Sequence, residues 1–118
     1  MFVDNFGTVF FSIKGGSTVQ KLNPGDTESV IVAANGLGAV YGIFIDAIGN
    51  LYVSDGGNHR VQKWTPGATE GITVAGVNGQ GSGVNQLNMP RAIYVDSRGN
   101  IYVADSGNHR VQKYLFSP

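Results

Sequence analysis

Cysteine is absent from this 118-residue chain, and charged residues are scarce, at 14%. Without cysteine there is no disulfide framework, and its absence does not decide the compartment, which stays open with an extracellular one slightly favoured on other grounds. Eight acids balance eight Lys and Arg, for a net charge of +0. A phosphate-binding surface normally needs a concentration of basic residues, and nothing here gathers them, so a nucleic-acid partner is not expected. No apolar run approaches the roughly 18 to 20 residues that cross a bilayer, so no membrane span is expected. The opening residues Met1 to Asn5 lack the basic stretch and long apolar core of a signal peptide. There is no Asn-x-Ser/Thr sequon to mark a glycosylated chain. No window carries the 3.6-residue apolar period of a helix.

What the chain does have is glycine, 18 copies, among a 42% share of hydrophobic residues. Disordered chains are poor in aromatic and β-branched residues, and this one is not. Short apolar runs between many glycines read as short strands joined by tight turns.

Those strands repeat. Leu37 to Trp64 aligns with Leu87 to Tyr114, fifty residues on, with fifteen of 28 positions identical. Met1 to Ala34 aligns with Ile43 to Gly76, forty-two residues on, with fourteen of 34 identical. The middle unit parses into strands at Gly42–Ile45, Leu51–Ser54, Arg60–Trp64 and Ile72–Ala75. Between the first two, Asp46 to Asn50 forms a turn whose Gly49 takes positive φ, as Gly99 does in the next copy. Thr65 to Ala68 is a Pro-Gly turn. Four strands in a repeat of 42 to 50 residues is the period of a propeller blade. One such sheet cannot bury both its faces, so blades stack around an axis.

The string Gly-Asn-Leu-Tyr-Val-Ser-Asp-x-x-Asn-His-Arg-Val-Gln-Lys, at 49–63 and closely repeated at 99–113, resembles the signature of the NHL-repeat family. The first unit has Ile13, Gly16, Ser17 and Thr18 at the corresponding positions, so it keeps the strands without the signature. The resemblance implies an all-β propeller of four-stranded antiparallel blades, about six to a closed ring. The blades are expected at 1–36, 37–86 and 87–118, the last lacking its outer strand. That is about two and three-quarter blades, a fragment, with an open edge from Val111 to Phe116. Remaining blades of the same chain, or other copies of it, are needed to close the ring, and the missing strand favours a longer chain.

Asp55 with Asn58, and Asp105 with Asn108, bracket the turn after the second strand. An aspartate there can accept backbone N–H bonds and pair with the arginine that follows, Arg60 or Arg110. Because these residues repeat blade after blade, a scaffold role accounts for them better than ligand contact. His59 and His109 sit one per blade with no second ligand at zinc spacing, so no metal is expected. Asp46 and Asp96 repeat as turn residues and do not form an acid–base pair. The stretch Gly76 to Gly83 lacks the Gly-Lys-Ser/Thr ending of a phosphate loop and reads as a connector anchored by Leu87 and Pro90, its small residues serving flexibility and close packing.

Positions where the copies disagree carry more functional promise than those that agree. Tyr41 and Arg91 differ at equivalent places near the mouth that the resemblance puts on the top face. Ile48 and Arg98 differ in the turn at the opposite end. The expected function is a non-catalytic module that binds a protein, peptide or glycan through its top face, as part of a larger protein. The candidate contacts are Tyr41, Arg91, His59, Arg60, His109 and Arg110. No catalytic residue and no cofactor are expected in this segment. Two other readings stand beside it: a metal-dependent lyase or hydrolase with its active site in other blades, and an RNA-binding propeller using Arg60, Arg91 and Arg110.

Overall fold

The computed structural model describes residues 1–13 and 16–115. Among the described residues eleven strands form three antiparallel sheets, each a simple meander. The first sheet runs β1 (Phe2–Val3), β2 (Val9–Phe11), β3 (Val19–Leu22) and β4 (Val30–Ala33). The second runs β5 (Val40–Ile45), β6 (Leu51–Asp55), β7 (Arg60–Trp64) and β8 (Ile72–Ala75). The third holds β9 (Pro90–Val95), β10 (Ile101–Asp105) and β11 (Arg110–Tyr114). Phe116, the end of the expected open edge, and the expected tail of the third blade to 118 lie outside the described residues.

The sheets stack face to face as blades, so the middle one is covered on both sides. Its strand β6 is buried at every residue, whereas a sheet with one wet face would alternate. Val19, Ala33, Ile43, Ile45, Val53 and Trp64 fill the joint between the first two blades. Val61, Ala75, Leu87, Val95, Ile101 and Val103 fill the next. Along the inner strands one aromatic per blade meets the next edge to face: Phe2 on Phe44 and Phe44 on Tyr94, both with ring centres 5.2 Å apart. Such pairs are worth about 0.5–1.5 kcal/mol beyond their burial.

The inner strand of the middle blade begins two residues before the expected Gly42, and its second strand ends at Asp55, one after the expected Ser54. The reason for the early start is a bulge. Val40 pairs with Asp55 and Gly42 with Ser54, which leaves Tyr41 with no residue opposite. In the third blade Arg91 and Ala92 likewise fall between the Pro90–Asp105 and Ile93–Val103 pairs.

The connector 76–89 departs from the flexible reading. Gln86 sits at its centre, its side chain accepting from Gly83 N–H (2.9 Å) and donating to the Asn78 and Gln80 carbonyls (3.2 and 3.4 Å). Leu87 is fully buried and Pro90 nearly so.

Candidate functional site

Up-and-down strands place the β6–β7 turn and the inter-blade connectors at the same end of the stack. At that end Asp55, Asn58 and Arg60 come together. Asp55 is fully buried and accepts Gly38 N–H at 2.9 Å on Oδ1. Its Oδ2 accepts Asn58 Nδ2 and Arg60 Nε, each at 3.0 Å. Asn58 Nδ2 and Arg60 Nη2 then donate to the Gly36 carbonyl, at 3.0 and 2.8 Å. The three side chains thus clasp the connector that enters the blade.

The third blade repeats the clasp on the longer connector. Asp105 accepts Asn88 N–H (2.7 Å), Asn108 Nδ2 (2.8 Å) and Arg110 Nε (2.8 Å). Asn108 donates to Gly81 O, and Arg110 donates to Ser82 O and Gln86 O. Burial pushes the Asp105 carboxyl up, but the bonds from Asn88 N–H, Asn108 and Arg110, with the Arg110 charge, outweigh it. The carboxyl is held below its usual range, as an ion. The tight turn between Asp and His requires glycine at its second position. A Cβ on Gly57 would meet Ala39 N at 2.6 Å, and one on Gly107 would meet Asn88 O at 2.6 Å.

Among the described residues the first blade has no such clasp, because Ile13 and Thr18 stand where the acid and arginine would be. There the Gly16 carbonyl accepts Val40 N–H at 3.2 Å.

His59 and His109 occupy separate joints. Both take the left-handed conformation, φ 55 and 52, closing the turn. His59 Nδ1 accepts the N–H of Met89 at 3.0 Å, so the ring links the second blade to the strand entry of the third. This geometry needs Nδ1 unprotonated. Nothing among the described residues bonds the ring of His109, which stands at the open face. No group of three His, Cys, Asp or Glu comes together among the described residues.

Tyr41 and Arg91, by contrast, meet. The Arg91 guanidinium lies 5.4 Å over the Tyr41 ring. Both are exposed, and the bulges set each side chain out of the strand's alternation toward the rim. Arg60 and Arg110 spend their charge on buried aspartates, while Arg91 has no carboxylate partner among the described residues. A Cβ on Gly56 would run into the Tyr41 ring. The third blade, with Arg91 in place of Tyr41, carries Ser106 in place of Gly56. That paired change is a signal for contact present in the sequence, whereas nothing in the sequence marks Met89 or the buried Ser54, whose hydroxyl donates to Pro90 O across the joint at 2.7 Å.

At the opposite end Asp46 and Asp96 organise the β5–β6 and β9–β10 turns. Each Oδ1 accepts N–H groups two and four residues on. Gly49 and Gly99 take φ 91 and 86. Burial raises Asp96, but bonds from the Asn100 side chain and backbone, Arg98 N–H and Tyr102 hydroxyl outweigh it and hold the carboxyl low. Burial first, then the Asp46 charge and hydrogen bond, push the Tyr52 hydroxyl up to about 12.

A family model for the NHL repeat matches residues 87–114, the third blade. The middle blade carries the same signature. No curated relative matches the chain in sequence. Among solved structures it is similar to a catalytically inactive virginiamycin B lyase from Staphylococcus aureus with quinupristin (TM-score 0.70, 12% identity), covering 99% of this chain and 40% of that one. It is also similar to an auxiliary nutrient binding protein from Bacteroides thetaiotaomicron (TM-score 0.68, 19% identity), covering 88% and 33%. A streptogramin B lyase gives TM-score 0.67 at 16% identity, covering 98% and 39%. The fold is a β-propeller, and the chain spans two fifths or less of each of these structures.

Proposed function

We propose that this NHL-repeat propeller segment is a non-catalytic interaction module, part of a larger ring, that presents its connector-end face to a protein, peptide or glycan. The observation that carries the reading is the Tyr41–Arg91 pair. An aromatic face and an arginine with no carboxylate partner among the described residues stand together on the rim, where the copies differ. Aromatic and arginine side chains are the types that dominate binding energy at interfaces. The residues that look most like chemistry, Asp55, Arg60, Asp105 and Arg110, support the reading by being consumed in clasps. That same consumption leaves Arg91 as the one free arginine at this end among the described residues, a poor basis for binding RNA phosphates.

The test is a peptide-display and glycan-array screen of the full chain, repeated with Tyr41→Ala/Arg91→Ala. A ligand whose affinity falls about tenfold or more in the variant is the expected result. Turnover of a small substrate with tightly bound stoichiometric metal, and no loss of binding in the variant, would replace this reading with the lyase one.

A further inference from the structure

Six of the eight acids lie in turns at the end opposite the clasps: Asp4, Asp46 and Asp96 between first and second strands, and Asp26, Glu28 and Glu70 between third and fourth. In the inner turns the aspartate accepts the N–H of the residue at the tip: Phe6, Ile48 or Arg98. This bond asks only for a backbone N–H, so the scaffold does not choose the tip side chain. Yet two of the three tips are large and apolar, Phe6 at 85% exposure and Ile48 at 77%. Ile48 belongs to the middle blade, flanked by blades on both sides. Its exposure therefore comes from projecting beyond the sheet ends, where no added blade would cover it.

Between these tips lies a groove of about 400 Å³ lined by Phe2, Val3, Phe6, Ile45 and Ile48, with Asp4 and Asp46 in its walls and no cation among the described residues that line it. The two acids are not equivalent. Asp46 Oδ2 accepts from Asn50 Nδ2 (2.8 Å) and the Tyr52 hydroxyl (3.3 Å). Thr8 replaces the asparagine in the first blade, and Asp4 Oδ2 accepts no hydrogen bond from a described residue. The neighbouring groove, between the second and third blades, is lined by Lys63 and Arg98 as well as Asp46 and Asp96, so its charge is mixed.

We infer that the groove between Phe6 and Ile48 docks a basic amphipathic segment of a partner protein. Its apolar side chains lie between the two tips, and a lysine or arginine meets Asp4. The sign of the charge selects this occupant, since nucleic acid or an anionic lipid surface would bring phosphates against the carboxylates. The site is separate from the Tyr41–Arg91 rim and does not rest on it.

A short fluorescein-labelled peptide of leucine and lysine, with its leucines at helical spacing, tests this by anisotropy against the full chain. The same peptide with glutamate for lysine is the control. The lysine peptide is expected to bind and the glutamate peptide not to. Phe6→Ser/Ile48→Ser should weaken binding about tenfold or more, and Asp4→Asn should weaken it and flatten its salt dependence. Arg91→Ala should leave it unchanged. Amide NMR shifts on adding the peptide should gather at Asn5–Gly7 and Ala47–Gly49, a readout that needs no variant to fold. No binding of the lysine peptide, equal binding of the glutamate peptide, loss of binding in Arg91→Ala, or shifts gathered around Tyr41 would each overturn the proposal.

Discussion

The buried aspartate of each clasp shows how a charge can be structural without being reactive. A carboxylate out of water is stable only when paired and hydrogen-bonded. Asp105 has three donors from three places: its own turn, the following strand and a connector 17 residues upstream. Its carboxyl titrates below the usual range, so it stabilises the fold fully above the ordinary carboxylate value. That contribution is lost as pH falls from there through the lowered value. Asp105→Asn is expected to cost about 2–4 kcal/mol at neutral pH, since Arg110 loses its partner. Its stability should also fall less steeply than the parent's between about pH 5 and 2. Urea unfolding across that range measures both effects, and parallel curves would remove the ionised Asp105 from the account.

Strands were legible in the sequence wherever the apolar period and turn glycines agreed. Leu51, Arg60 and Ile72 open their strands as the parse expects, and Gly49 and Gly99 hold positive φ. Legibility ended where non-local contacts decide. The bulge at Tyr41 breaks the two-residue alternation, so the apolar pattern alone starts the strand at Gly42. The Asp–Arg pairing could be read from local spacing, but the connector carbonyls it secures, 22 to 28 residues upstream, could not. The internal bonding of the 76–89 connector is hidden for the same kind of reason, because small polar residues look unconnected until a central glutamine ties them. Gly42 marks another such contact: a Cβ there would run into the Arg91 carbonyl oxygen of the neighbouring inner strand. Gly42→Ala should therefore pry β5 from β9 and destabilise by about 1–3 kcal/mol. Thermal unfolding checks it, and an unchanged midpoint would mean the two strands are not in tight contact.

Across the whole molecule, burial reports which surfaces are faces and which are ends. Val61 in the middle blade is fully buried, while its equivalent Val111 in the third is 69% exposed, and Tyr94 is 58% exposed at the end of the aromatic row. An uncovered blade face of this kind seeks another. The chain alone is expected to self-associate as concentration rises, and Tyr94→Lys/Val111→Lys to reduce that association. Sedimentation velocity over a concentration series distinguishes this from a surface that stays monomeric unaided. The same comparison supports reading the chain as part of a larger ring, whose remaining blades would cover these faces and leave both ends free.

The clasps grip only main-chain atoms of the connectors: carbonyls at Gly36, Gly81, Ser82 and Gln86, and N–H groups at Gly38 and Asn88. Side chains in those stretches are left unread, and so, within limits, is their number. Six residues separate β4 from β5, whereas fourteen separate β8 from β9, without loss of the fastening. Lengthening a loop is inexpensive, at about 0.6 kcal/mol per doubling. Val84, 88% exposed in the longer span, therefore marks ground where this architecture can accept new peptide, by duplication or by grafting, while its strands keep their register.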